Sequence, residues 1–375
     1  MTSDVRIAIF GNGFARGTML PALRHVPGAT VVGIASPTRE KVEATAREFG
    51  IEHVATDHRA LLDAARPDLV FVVTPPHRHA EQSIDALDAG CHVVCEKPTA
   101  LNATESERMW QVAAQHPRQL ALLDHELRVH PNRIVLRNIV EAGSLGAVRH
   151  ATYTITSPAR RDPTTPWHWW SDVTQGGGTL GALGSHAVDT LRSLLGEVES
   201  VRGTVHTWTT ERPDPRTGAP RAVTADDLAV AWLRFRSGAL ATMTLSLIEA
   251  ERVHRLTLAG TLGAAHLDEQ APLRVQLPAE EWQDVSVPDD LPANAELGIP
   301  DTDWARSFIR YARLIVAAIA DGRTEVPGAS TFEDGHRNQC VLDAIRVADR
   351  EHGWINVAVA GAVADVVAGA VEARQ

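Results

Sequence analysis

Two short stretches hold residue types able to move a proton. In HVVCEKPT, residues 92–99, an apolar run passes straight into an acid, a lysine and a proline. A solvated lysine needs neither a buried run before it nor a rigid residue after it. Lys97 is therefore expected at the end of a strand, with Pro98 pinning the backbone that aims it. In GGGTLGALGSHAVD, residues 176–189, His186 and Asp189 fall about one helical turn apart and so near one face. Taken alone, that histidine could equally be a satisfied core residue.

A third stretch, VRIAIFGNGFARG, sets Gly11 and Gly13 after an apolar run and just before a helix that starts near Phe14 and Ala15. Such a turn lets backbone approach a pyrophosphate, and the helix N-terminus offers unpaired N–H groups and a favourable dipole. The usual third glycine is replaced by Arg16. The second run ends GIASPTREK, with Ser36 where a carboxylate would grip the ribose of NAD. Ser36, Thr38 and Arg39 offer hydroxyls and a cation instead, favouring NADP over NAD, unless Thr38 merely caps the next helix. In VVTPPHRHAE, Thr74 and Pro75 are candidates for a nicotinamide-ribose wall, and His79 and Glu96 join them as cofactor-binding candidates. His77 and His79 have no partner cluster at ligand spacing, so no metal site is expected.

These residues need a scaffold. From residue 5 to about 125, VRIAIF, TVVGIA, DLVFVV, CHVVC and QLALLD alternate with helix-patterned stretches. The apolar runs are too continuous for half-exposed strands, so they suit a doubly wound parallel α/β sheet covered on both faces. Beyond about 146 the runs lengthen and follow one another with little helix between, which suits an α+β domain with a large, mostly antiparallel open sheet. A helix over GGTLGALGSHAVDTLRSLLG precedes that sheet and two more follow it, while ERPDPRTGAP is expected to be a loop. The division is 1–125 and 126–375. The final INVAVAGAVADVVAGAVEARQ suggests a strand and then a docking helix or loose tail.

The 375 residues carry 36 basic and 47 acidic side chains, a net charge of -11, which disfavours a nucleic-acid partner. Three cysteines are too few for a disulfide framework and fit a reducing, cytoplasmic setting. No signal peptide opens the chain, and no run reaches the ~20 apolar residues of a membrane span.

Together, GNGFARGTMLPAL, TPPHRHAEQSIDALDAGCHVVCEKP and GGGTLGALGSHAVDTLRSLLGEVESV resemble the glucose-fructose oxidoreductase, inositol dehydrogenase and MocA-type (Gfo/Idh/MocA) family over most of the chain. The resemblance implies a Rossmann domain, then a domain that holds substrate and builds a homodimer or homotetramer. It implies hydride exchange between a nicotinamide and a secondary alcohol or ketone of a sugar, cyclitol or related polyol. It makes Lys97 the partner of the reacting oxygen and His186 an acid/base or substrate contact. An acid/base lysine works best with its pKa drawn toward neutrality, which burial or a nearby cation achieves. The family's usual aspartate four residues before the histidine is Ala182 here, which weakens an Asp/His relay. In LLDHELRVHP, His125, Glu126 and Arg128 are candidates for lining the substrate cleft, and Asp189 is a further candidate substrate contact. Trp167, Trp169 and Trp170 of TPWHWWSDV would stack on a sugar or nicotinamide ring, although a protein contact would explain them as well. Two other readings compete: a catalytically silent dinucleotide-binding sensor, and an NAD-dependent glycosidase using transient oxidation.

Overall fold

The computed structural model describes residues 4–358. Strands β1 (Val5–Phe10), β2 (Ala29–Ala35), β3 (His53–Ala55), β4 (Leu69–Val72), β5 (His92–Cys95) and β6 (Ala121–Leu123) form one parallel sheet. All four residues of β4 are buried, because helices cover both sheet faces and leave no side to solvent. Those helices are α1 (Leu20–Leu23), α2 (Arg39–Phe49), α3 (His58–Ala65), α4 (His79–Asp88) and α5 (Ala103–Gln115). The strand order places β1 between β2 and β4, so the sheet reverses its winding there. Ligands of such sheets lie outside the carboxyl ends of the strands at that switch point. Gly11, Thr74, Glu96 with Lys97, and Asp124 follow the ends of β1, β4, β5 and β6 within one or two residues.

The second half opens with α6 (Pro131–Glu141) and β7 (Val148–Thr156), followed by α7 (Thr179–Leu195) and β8 (Val198–His206). The segment expected to be a loop instead pairs with itself as the hairpin β9 (Glu211–Pro213) and β10 (Pro220–Ala222). Both prolines sit at the ends of these short strands, where a missing N–H costs the ladder little. There follow β11 (Leu228–Phe235), β12 (Leu240–Ser246), β13 (Val253–Gly260), β14 (Ala264–Asp268), β15 (Ala271–Gln276) and β16 (Gln283–Asp284). Then come α8 (Asn294–Leu297), α9 (Asp303–Ala320), β17 (Ser330–Thr331), α10 (Phe332–Glu351) and β18 (Ile355–Asn356). The large sheet runs β16-β15-β14-β13-β7-β12-β11-β8-β18, antiparallel except where β12 meets β7. Its strands alternate buried and solvent-facing positions; one face carries the core built with α7 and α10, and the other shows Trp232 and Leu240.

Two elements from beyond residue 126 return to the first sheet. Phe308, Ile309, Tyr311 and Ile315 of α9 are buried in the same cluster as Ile7, Ile9 and Phe71. Ser330 and Thr331 then pair antiparallel with β6, so β17 closes the edge of the first sheet. The apolar stripe of α9 marks a buried helix but does not say which sheet it covers. Beyond the β18 strand, the docking helix or tail expected at the C-terminus lies outside the described residues. No helix among the described residues is long and apolar enough to cross a membrane.

Candidate active site

The groove over the first sheet is built to admit a dinucleotide. Gly11 has φ +119°, and a Cβ there would lie 2.5 Å from the carbonyl oxygen of Val73, so no larger residue fits this turn. A Cβ at Gly13 would meet nothing within 4 Å, leaving the backbone open to an approaching group. Beside it, Asn12 Oδ1 is buried with no hydrogen-bond partner among the described residues, and Phe14 is exposed. Ala15 begins a π-helical turn, Ala15–Met19, that leads into α1. Arg16 turns away to Glu48 at 2.7 Å. At the end of β2, Ser36 presents no acid, and Arg39 pairs with Glu43 at 3.3 Å on the surface. Thr38 stands at the N-cap of α2 without a side-chain capping bond.

The wall after β4 is braced from behind. Thr74 Oγ1 donates to Gln82 Oε1 at 2.6 Å. His79 is 1% exposed, with Nε2 2.7 Å from the carbonyl of Thr74 and Nδ1 2.9 Å from that of Pro98. Burial pushes its imidazole down to about 4, so near neutral pH it holds one N–H and donates to one of the two carbonyls at a time. Both ring nitrogens thus face carbonyls, so His79, expected from the sequence as a cofactor contact, ties the Thr74–Pro75 wall to the turn behind Lys97.

Lys97 meets the second half of the chain directly. Its peptide to Pro98 is cis. Its Nζ donates to the main-chain oxygen of Ala182 at 3.1 Å. In an α-helix that carbonyl also receives the N–H of residue 186, so the amine stands at the base of the turn that carries His186. The contact uses backbone, so the missing aspartate at 182 does not remove it. Gly181 of α7 faces Pro98, where a Cβ would lie in ordinary van der Waals contact, 3.4 Å from Cγ. The start of α7 is set by Asp226, whose Oδ2 accepts from Leu180 N at 2.7 Å. Gly176 takes φ +85° against Pro76, which lays the glycine run on the cofactor wall.

The surroundings of the two groups differ in kind. His186 is 3% exposed, packs edge-on against His125 at 5.4 Å, and lies 5.7 Å from the Trp304 ring. Burial and then the Lys97 charge hold its imidazole well below the usual value; burial likewise lowers His125 to about 4. Both are neutral at physiological pH. Around Lys97 stand Glu96, Asp124 and Glu126, all raised chiefly by burial, Glu126 to about 8. Asp124 Oδ1, Glu126 Oε2 and His125 Nδ1 are buried without hydrogen-bond partners among the described residues.

Several expected substrate contacts are otherwise engaged. Asp189 receives Arg128 through two bonds of 2.7 Å and Asn338 at 3.0 Å. Burial alone would raise that carboxyl, yet the guanidinium keeps it far below its usual range. Asp189 and Arg128 thus satisfy each other beneath His125. Trp167 donates Nε1–H to Ala222 at 2.9 Å and carries the Arg221 guanidinium 3.2 Å from its ring centre, so it clasps the β9–β10 hairpin. Trp169 packs with Trp170 at 5.6 Å. The sequence reading missed Trp304, His254, Tyr153 and Arg133. Arg133 and Tyr153 OH both bond His254 Nε2 at 2.9 Å, and the His254 ring stacks on Trp304 at 5.3 Å. These lie on four separate elements, with no shared spacing to signal them. His58, Glu81 and Asp85 also cluster, but Arg59 bonds both acids at 3.0 and 2.7 Å and supplies the positive charge there.

A Gly-turn groove at a β1/β4 switch point, with an amine at its rim, is the arrangement of a Rossmann-fold dehydrogenase. Residues 5–123 match the model of the oxidoreductase family with an NAD-binding Rossmann fold, and residues 134–266 match the GFO/IDH/MocA C-terminal domain. The chain belongs to the Gfo/Idh/MocA family and is an NAD-binding oxidoreductase. Levoglucosan dehydrogenase of Pseudarthrobacter phenanthrenivorans is 28% identical over 370 residues, covering 90% of each chain. Human glucose-fructose oxidoreductase domain-containing protein 2 is 27% identical over 369 residues, covering 94% of this chain and 93% of that one. A solved complex of levoglucosan dehydrogenase with NADH and L-sorbose aligns at a TM-score of 0.85 and 25% identity, over 95% of this chain and 99% of that chain. An oxidoreductase domain protein from Kribbella flavida aligns at 0.85 and 28% identity, over 96% and 100%.

Proposed function

We propose that this protein interconverts a secondary alcohol and a ketone on a sugar, cyclitol or related polyol. The observation that carries the reading is the approach of Lys97, from the end of β5, to the turn of α7 that bears His186. Gly11, Gly13 and the helix start at Phe14 and Ala15 would hold the pyrophosphate, and Thr74, Pro75 and Glu96 would border the nicotinamide riboside. The bound nicotinamide supplies the hydride acceptor or donor. Lys97 Nζ holds the reacting oxygen and takes its proton as the alcohol is oxidised. Neutral His186 gives the same substrate a second hydrogen bond, and His125, packed edge-on against it, fixes the ring. A levoglucosan dehydrogenase among the relatives, and a levoglucosan dehydrogenase solved in complex with NADH and L-sorbose, support a sugar substrate.

NADP is the preferred cofactor in this reading because no carboxylate stands at Ser36 to repel a 2'-phosphate. Arg39 would exchange Glu43 for that phosphate. Exposed Trp232 and Leu240 on the open sheet support a homodimer or homotetramer. The test is absorbance at 340 nm with NADP+ or NAD+ across sugars and polyols. No reduction with any of them, beside tight dinucleotide binding, would instead mark a silent sensor. Arg39→Ala should raise KM for NADP+ several-fold and leave that for NAD+ in place; equal effects reject the 2'-phosphate assignment.

A further inference from the structure

His186 is held by rings rather than by hydrogen bonds. Among the described residues neither nitrogen of its imidazole has a hydrogen-bond partner; the ring packs edge-on against His125 at 5.4 Å and against the Trp304 indole at 5.7 Å. The positions along α7 from which an acid could steady it are closed. Residue 182, four before it, is alanine, and Asp189, three after it, is bound by Arg128. An imidazole without such bonds is steadied only by what packs against it.

Trp304 is fixed at both of its ends. Its backbone lies in the first turn of α9, a helix buried against the first sheet through Phe308, Ile309 and Ile315. The Tyr311 hydroxyl of the same helix donates to the carbonyl of Leu123, at the end of β6, at 2.8 Å. The indole also stacks on the His254 ring, at 5.3 Å and 22°. His254 Nε2 lies 2.9 Å from both an Arg133 guanidinium nitrogen and the Tyr153 hydroxyl. A guanidinium only donates, so Nε2 accepts and the ring proton sits on Nδ1. Arg133 then donates to Thr190 Oγ1 at 3.3 Å, about one turn beyond His186 on α7. The contacts close a circuit that runs from His186 through Trp304, His254, Arg133 and Thr190 and back along α7. Within it, Trp304 is the member that belongs to the sheet carrying Lys97.

We infer that Trp304 is a positioning residue: its indole carries the placement of the first sheet across to the His186 imidazole, so that Lys97 and His186 meet one substrate in a fixed relation. This rests on the proposed function, in which His186 is a substrate contact. The indole acts by packing against His186 and itself needs no contact with the substrate. A misplacement of about 1 Å in such a group can cost on the order of a hundredfold in rate.

The experiment is a double-mutant cycle of Trp304 and His186, read by dinucleotide reduction with the sugar or polyol that gives the highest rate. Trp304→Ala should lower kcat/KM for that sugar roughly tenfold or more, with KM for the dinucleotide within about twofold. Trp304→Phe, which keeps a ring in place, should recover most of the loss. With His186→Ala already present, adding Trp304→Ala should cost less than about twofold, because a brace has no effect once the side chain it holds is gone. A tryptophan that served the fold alone would cost the same in both backgrounds, and that result overturns the inference. So does a Trp304→Ala enzyme as fast as wild type, or a phenylalanine variant no better than alanine. If thermal unfolding shows that Trp304→Ala does not fold, His254→Ala removes the ring behind the indole and enters the same cycle, with a several-fold loss expected only where His186 is present. Wild-type protein that turns over no sugar refutes the oxidoreductase reading and the brace with it, whereas equal costs in the two backgrounds refute the brace alone.

Discussion

The two rims of the cleft hold protons on opposite terms. On the rim after β5 and β6, one amine is surrounded by three carboxyl groups, and burial drives those acids toward their protonated forms. On the α7 rim, burial and neighbouring cations drive His186 and His254 toward their neutral forms, each with one N–H and one acceptor nitrogen. Asp189, about one turn along α7 from His186, is consumed by Arg128. The same physical cause, desolvation, thus leaves one side rich in protons and the other poor, because it penalises whichever form is charged. The lysine rim is thus lined by acids that keep their protons, and the α7 rim by imidazoles that each offer one donor and one acceptor.

The severest way to break this asymmetry is to free Asp189. Arg128→Ala leaves a buried carboxylate without its cation and should cost about 3–5 kcal/mol in urea unfolding. Adding Asp189→Asn should recover much of that loss; a single variant as stable as wild type would show that the pair does not hold the α7 rim. Next in size, Lys97→Ala should lower turnover about a hundredfold, with dinucleotide affinity within a few fold. If the rims share one proton, the same change combined with His186→Ala should cost less than the product of the two single effects.

Glu126→Gln probes the acid rim more gently. The folded protein raises Glu126 to about 8 from an ordinary value of 4.5, so it keeps a proton the unfolded chain has lost. That contribution is complete below 4.5 and fades as pH rises toward 8. The glutamine variant should therefore gain on wild type by about 3 °C or more in Tm between pH 5 and pH 8. His125 acts in the opposite sense: lowered to about 4 from 6.5, it stabilises the fold above 6.5 and loses that contribution as pH falls toward 4. A Tm difference between variant and wild type that stays flat with pH would remove Glu126 from the proton-rich rim.

Much of the scaffold was legible because its rules are local. Uninterrupted apolar runs announced β1, β4 and β5, and the glycine turn marked the groove. Lys97 stood out because a strand leads into it and a proline follows. The site's remaining walls come from long-range packing that no spacing encodes. Trp304, His254 and Arg133 meet from α9, β13 and α6, each unremarkable in its own segment. Internal engagement is equally hidden from the sequence: Asp189 and Trp167 have the chemistry of ligand contacts, and the fold pairs them with Arg128, Asn338 and the β9–β10 hairpin. Residue type shows what a side chain can do, and only its neighbours show whether that capacity is already taken.

The return of α9 to the first sheet orders events during synthesis. Roughly 180 residues separate the end of β6 from the start of α9. At about 5–20 residues per second, the ribosome needs some ten to forty seconds to bridge that interval. Throughout it, the patch of the nascent sheet destined for Phe308 and Ile315 has no cover from its own chain. Final closure of the amino-terminal layer must wait for the carboxyl-terminal part to be made, so a premature stop after β16 would strand both halves unfinished.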